Sequence, residues 1–157
     1  MFMIIVGYPS KEEEIAILNA TTGGGSVDLR AMLTGDDIVA LQQIVRTIAV
    51  HAGIMDYAAT LVRKTRPNEP EAPAFIKENL SWGAGPRASQ YLIVGAKARA
   101  ALYGRSYVKG EDVRAVALPV LRHRIVTNFN AEAEGLTTDK IVKRLLDETP
   151  APVDPRS

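Results

Sequence analysis

SWGAGPRASQYLIVGAKARAALYGRSYVKGEDVRAVALPVLRHRIV, residues 81–126, reads as two helical segments joined by a short turn. Gly83 and Gly85 loosen the backbone, and Pro86 suits a first helical turn, where its missing N–H would have had no partner. A helix is therefore expected to begin here, with Arg87 in its first turn. From Ala88 to Tyr103 the run is apolar on most sides, interrupted mainly by Ser89, Gln90, Lys97 and Arg99, and Gly104 supplies a left-handed C-terminal residue. Such a helix belongs in the middle of a bundle, and it is expected to be the most buried one. Tyr107 and Val108 then make an extended step. A second helix follows over Glu111–Leu121, with Pro119 expected to kink or finish it.

Arg87 carries the chemistry. A cation in a first helical turn opposes the helix dipole by on the order of 0.3–1 kcal/mol, so its placement calls for an anion. An arginine beside free backbone N–H groups makes a ready phosphate site. On spacing alone the competing account is a solvated arginine, or one paired with a local carboxylate.

GAGPRAS, the alanine-rich helix after it, YGRSYVKGEDV and VLRHRI together resemble the C-terminal helical lid of AAA+ ATPases of the MoxR family. In that family the arginine of the G-x-x-P-R-A motif is the sensor-2 residue, which reaches from the lid to the nucleotide's phosphates. The resemblance implies that role for Arg87, with Gly85 and Pro86 beside it in the nucleotide contact. VGYPSKEEEIAIL at 6–18 resembles the stretch leaving the family's ATPase core. LVRKTR at 61–66 resembles the lid helix before a Pro-rich loop, and GLTTDKIVKRLLDETPAP at 135–152 resembles the family's C-terminal helix. The family usually has proline where Gly110 stands, a departure that weakens the start of the second helix.

The resemblance implies an all-α helical bundle of about five or six helices and a full-length parent that binds ATP and Mg. It also implies neighbouring subunits in a hexameric ring, and chaperone-like action on metal-dependent and von Willebrand factor A-domain partners. An ATPase of this kind needs a phosphate loop, and G-x-x-x-x-G-K-[ST] occurs nowhere in the chain. The glycine run Gly23–Gly25 fails that test and reads as a flexible link. LLDE at 145–148 looks like the end of a magnesium-binding strand but lies in helical periodicity. The family's arginine finger would lie before Met1. The chain by itself is expected to hydrolyse no ATP.

At 157 residues the chain suits one helical domain with short extensions. Its 46% hydrophobic and 24% charged content is that of a soluble globular protein, and no apolar run approaches the roughly 18–20 residues that span a bilayer. The start lacks the basic flank and cleavage site of a secretory signal. Cysteine is absent, which excludes disulfides and thiolate metal sites and fits a cytoplasmic protein. The formal charge is +1, but Trp82–Val126 holds eight Lys/Arg against two acids, so one face is expected to be basic.

Met1–Val6, stopped by Gly7-Tyr8-Pro9, reads as a strand whose partners lie upstream, left to pair with another copy or to pack on the bundle. Residues 1–9 are thus expected to be strand and linker from an ATPase core, 10–149 the helical lid, and 150–157 a disordered Pro-rich tail. Ser10 with Glu13 and Thr34 with Asp37 are capping boxes that open two helices. The second carries Ile38, Leu41, Ile44, Val45 and Ile48 as a core stripe. A helix over Met55–Arg66, an irregular segment over 67–81 and a last amphipathic helix over Thr138–Glu148 complete the chain. His51 reads as a cap, His123 as a packing residue, and Trp82 as an anchor of its loop rather than a stacking platform. The rival reading is a free-standing helical module that binds nucleic acid or another protein. No helix, however, lines up Arg, Lys, Asn or Gln for base edges.

Overall fold

A computed structural model of the chain describes residues 1–24 and 28–152. Among them lie eight helices: α1 Lys11–Thr22, α2 Gly35–Thr47, α3 Ala52–Lys64, α4 Ala74–Asn79, α5 Pro86–Leu102, α6 Gly110–Leu121, α7 Phe129–Ala133 and α8 Thr138–Asp147. A small antiparallel pair joins β1, Leu80–Trp82, to β2, Val126–Thr127. The architecture is the expected all-α bundle. The segment over 67–81 is more ordered than its prolines suggest, because Phe75, Ile76 and Asn79 of α4 are buried.

Local chemistry sets the helix ends. Ser10 Oγ accepts from the Glu13 amide while Glu13 accepts from the Ser10 amide, and Thr34 and Asp37 repeat the exchange. Gly104 takes φ +66° after α5; its amide bonds to Ala101 and the Arg105 amide to Ala100, the paired closure that a left-handed glycine permits. Pro119 does not stop α6, which continues to Leu121.

The core lies where α5 packs against α6 and α3, and where α8 closes over α6 and α3. Leu61, Val62, Ile76, Leu92, Val113, Val120, Leu121, Val142 and Leu145 are wholly buried. The most buried helix is α6 rather than α5: seven of its twelve residues are buried, against five of seventeen. Val94 of α5 is partly exposed in a groove beside α2, and Leu102 at the end of the helix is largely exposed.

At the α5–α6 corner, Arg105 holds both carboxylate oxygens of the fully buried Asp112 at 2.7 Å, and the Lys109 amide adds a third bond at 2.9 Å. Burial alone would raise the Asp112 pKa. Arg105, the Lys109 amide and the Arg99 charge outweigh that and hold it below the ordinary aspartate value.

The N-terminal quarter departs from expectation. Met1–Val6 forms no strand ladder; Phe2 and Met3 pack on the bundle at α5 and α6, while Ile4–Val6 stay exposed. The Met3 amide donates to Pro119 O at 2.8 Å, Arg122 donates to Met3 O, and Phe2 fills the space that a side chain at Gly95 would take. The stripe on α2 is not core either. Ile38, Leu41 and Ile44 stay about half exposed, and only Ile48, just past the helix, is buried.

Of the tail expected to be disordered, Ala151 packs against the core beside Gly110, where an added Cβ would meet it at 2.6 Å. Residues 153–157, like Gly25 of the glycine link, lie outside the described residues. Tyr57 and Arg114 donate to Thr149 O, and Lys64 to Thr149 Oγ1, which ties the end of α8 to α3 and α6.

Candidate functional site

The loop that leads into α5 is fastened to the end of α3. Thr65, fully buried at the α3 C-cap, accepts a hydrogen bond from the Ala84 amide at 2.9 Å, and Arg66 Nε donates to Ala84 O at 3.0 Å. Gly83 lies so close that a Cβ there would sit 2.4 Å from Thr65 O and 2.5 Å from Arg66 Cα. Only glycine permits that approach. Arg66 is held in turn by Glu69 at 3.3 Å.

Gly85 is then the N-cap of α5, with extended backbone and no side chain to cap it, and Pro86 occupies the first turn as expected. Pro86 has no N–H and the Ala88 amide donates to Gly85 O at 2.9 Å, so in this turn the Arg87 amide is left for solvent or a ligand. Arg87 is exposed and has neither hydrogen bond nor ion pair among the described residues. No local carboxylate takes it up.

A second arginine shares this face. Tyr91 follows Arg87 by one helical turn, and the Arg124 guanidinium lies over its ring at 5.0 Å from the centroid. Arg124 Nε is buried without a hydrogen-bond partner. The sequence presents Arg122, His123 and Arg124 only as a short basic cluster, since the Tyr91 contact is long-range.

Most of the expected basic face is spent on internal partners. Arg99 and Arg105 pair with Asp112, Arg122 with Asp139 at 3.0 Å, and Arg114 with Asp147 at 3.5 Å, while Lys97 donates to Arg46 O. His51 caps α3, its Nδ1 accepting from the Gly53 amide at 3.2 Å. His123 is exposed rather than packed; burial of its surroundings, then the charges of Arg124, the N-terminus and Arg122, push its pKa down. Trp82 does not anchor its loop, for it remains 72% exposed. Leu145 and Leu146 of LLDE are buried in α8, as helical periodicity requires.

No group of three or more His, Cys, Asp or Glu among the described residues is arranged to hold a metal ion. No described helix is long and apolar enough to cross a membrane. A cavity of about 410 Å³ opens beside the Arg87 loop, bounded by Arg66–Glu69 and by Ser81–Pro86. A larger groove of about 1200 Å³ runs between α2 and α5, where α2 contributes Gln42, Val45 and Arg46, and Arg87 is not among its walls.

The AAA lid domain family matches residues 74–145, which run from α4 through most of α8. Chaperone MoxR1 of Mycobacterium tuberculosis is 35% identical over 152 residues, covering 97% of this chain and 40% of that protein. The uncharacterised protein YeaC of Bacillus subtilis is 28% identical over 98% of the chain and 45% of its own length. A crystal structure from Cytophaga hutchinsonii, provisionally described as that of an ATPase, superposes with a TM-score of 0.86 at 27% identity, over 98% of this chain and 47% of its own. The chain thus spans less than half of each. What α4 to α8 build is an AAA lid domain of the kind that MoxR-type AAA+ proteins carry.

Proposed function

We propose that this chain closes over ATP held by an ATPase core and that Arg87 is its sensor-2 residue, reaching the nucleotide's phosphates. The observation that carries the reading is an exposed arginine with no protein partner, at an uncapped helix start whose approach loop is pinned to α3. A planar guanidinium can grip phosphate oxygens with two parallel charge-assisted bonds, and the Arg87 amide, left open at the start of α5, lies beside it. The pinned loop fixes the backbone from which Arg87 projects, and the free side chain is ordered only on binding.

These residues suit the phosphates and not the cation. Magnesium, when bound with ATP, neutralises phosphate charge; the described residues hold no ligand set for it, and the core is the expected holder. The chain's own contribution is to orient the phosphates and, on closure, to exclude water from them. In the parent, residues 1–9 lead from the core and 10–149 form the lid. The lid then transmits nucleotide state to neighbouring subunits of a ring. Chaperone-like work in the cytoplasm on von Willebrand factor A-domain partners is the wider role this assigns.

The experiment is ATP turnover and nucleotide affinity in the full-length parent, with Arg87→Ala and Arg87→Lys beside wild type. A loss on the order of 10²-fold is expected for removing one such contact, in turnover or in affinity. Each variant of the 157-residue chain should melt within about 0.5 kcal/mol of wild type, because Arg87 is exposed. Two variants that turn over and bind ATP as wild type does would remove Arg87 from the site.

A further inference from the structure

We infer that the cavity beside Trp82 receives the purine base of the nucleotide whose phosphates Arg87 takes, with the indole as its stacking surface; this rests on the sensor-2 reading of Arg87. Large aromatic side chains bury most of their area when nothing else claims them. Trp82 leaves 72% of itself in solvent although its backbone is firmly held. It ends β1 opposite Val126, Ser81 donates to the carbonyls of Val126 and Thr127, and Ala84, two residues on, is the one fastened to both Thr65 and Arg66. A rigid mount with a bare ring is what a stacking platform requires.

The cavity of about 410 Å³ lies within the range of small-molecule sites. Pro67 and Pro86 give it apolar walls, and Asn68 gives it an amide that can both donate and accept, as an adenine edge requires. Gly85 and Pro86 line it and also begin α5, so it is continuous with the place of Arg87. Five residues of chain separate Trp82 from Arg87, at most about 17 Å, so both ends of one nucleotide can be met.

Trp82 is the only tryptophan, which makes its fluorescence a direct probe. The 157-residue chain is titrated to millimolar ATP, adenosine and tripolyphosphate, and saturation transfer to the purine protons is recorded by NMR. ATP and adenosine should change the emission and tripolyphosphate should not. Trp82→Leu should weaken ATP binding on the order of ten-fold, with Trp82→Tyr keeping most of it.

Arg87→Ala should weaken ATP and leave adenosine unchanged. If Arg87→Ala leaves ATP untouched while Trp82→Leu removes it, the base site stands and the phosphate reading falls. If ATP binding needs Arg87 while the emission stays constant and Trp82→Leu binds normally, the base site is overturned. Indole emission and purine protons that stay silent with both ATP and adenosine overturn it as well.

Discussion

Thr65 and Ala84 are nineteen residues apart in sequence, and one buried hydrogen bond of 2.9 Å joins them. The same hydroxyl donates to Val62 O at 2.6 Å, so a single side chain closes α3 and holds the approach to α5. Thr65→Val keeps the shape and removes both bonds. The Ala84 amide is then buried without a partner, and a loss of about 1–3 kcal/mol is expected in denaturant unfolding, with faster amide exchange at Ala84. Unchanged stability and exchange would mean that the loop is held elsewhere.

Two glycines of the same loop should respond in opposite ways. At Gly83 an added Cβ meets backbone atoms of residues 65 and 66, which cannot swing aside, so Gly83→Ala should cost about 1–3 kcal/mol. At Gly85 the same methyl meets nothing within 4 Å, and only the poorer capping of alanine applies, about 1 kcal/mol or less. Thermal melts of the two variants side by side decide it; equal losses would contradict the close approach at Gly83.

Asp112 predicts an acid limb. Its pKa is lowered in the folded chain, so its stabilisation is complete above the unfolded value, near 3.8, and is lost as pH falls through the lower native one. Asp112→Asn leaves Arg105 and Arg99 facing a neutral amide, and about 3 kcal/mol should disappear at neutral pH. The variant's stability should also fall less steeply than wild type below pH 4. Parallel stability–pH curves would exclude Asp112 as the titrating group.

The proline usual in this family at position 110 should conflict with the tail. Proline suits the first turn of α6, but its ring would take the space of Ala151. In the full chain Gly110→Pro should expose residues after Thr149 to proteolysis with little net stabilisation. In a chain ending at Thr149 the same change should stabilise by roughly 0.4–1 kcal/mol. Equal effects in both backgrounds would show that Ala151 makes no difference at Gly110.

What the sequence made legible was local. The two capping boxes, the left-handed Gly104 and the Pro86 helix start each depend on partners within five residues, and all appear where the pattern puts them. The place of Arg87 in the first turn of α5 was legible for that reason, while the role expected of it came from the resemblance. Thr65–Ala84, β1–β2 and Arg124 over Tyr91 join distant parts of the chain and leave no periodic trace. The stripe on α2 shows the other limit: an apolar face announces that something covers it, not that the cover belongs to the same chain. The short α4 was missed because Pro73 offers no side-chain cap and six residues hold too little periodicity.

Arg105 closes α5 through its backbone and grips Asp112 of α6 through its side chain, while Arg124 over Tyr91 ties the opposite end of the same hairpin. Fixed at both ends, the two helices behave mechanically as one stiff beam, about 25 Å long by the seventeen residues of α5. A tilt imposed at Arg87 cannot be absorbed by bending along the way. It arrives undiminished at the far corner, where the turn over residues 103–109 lies.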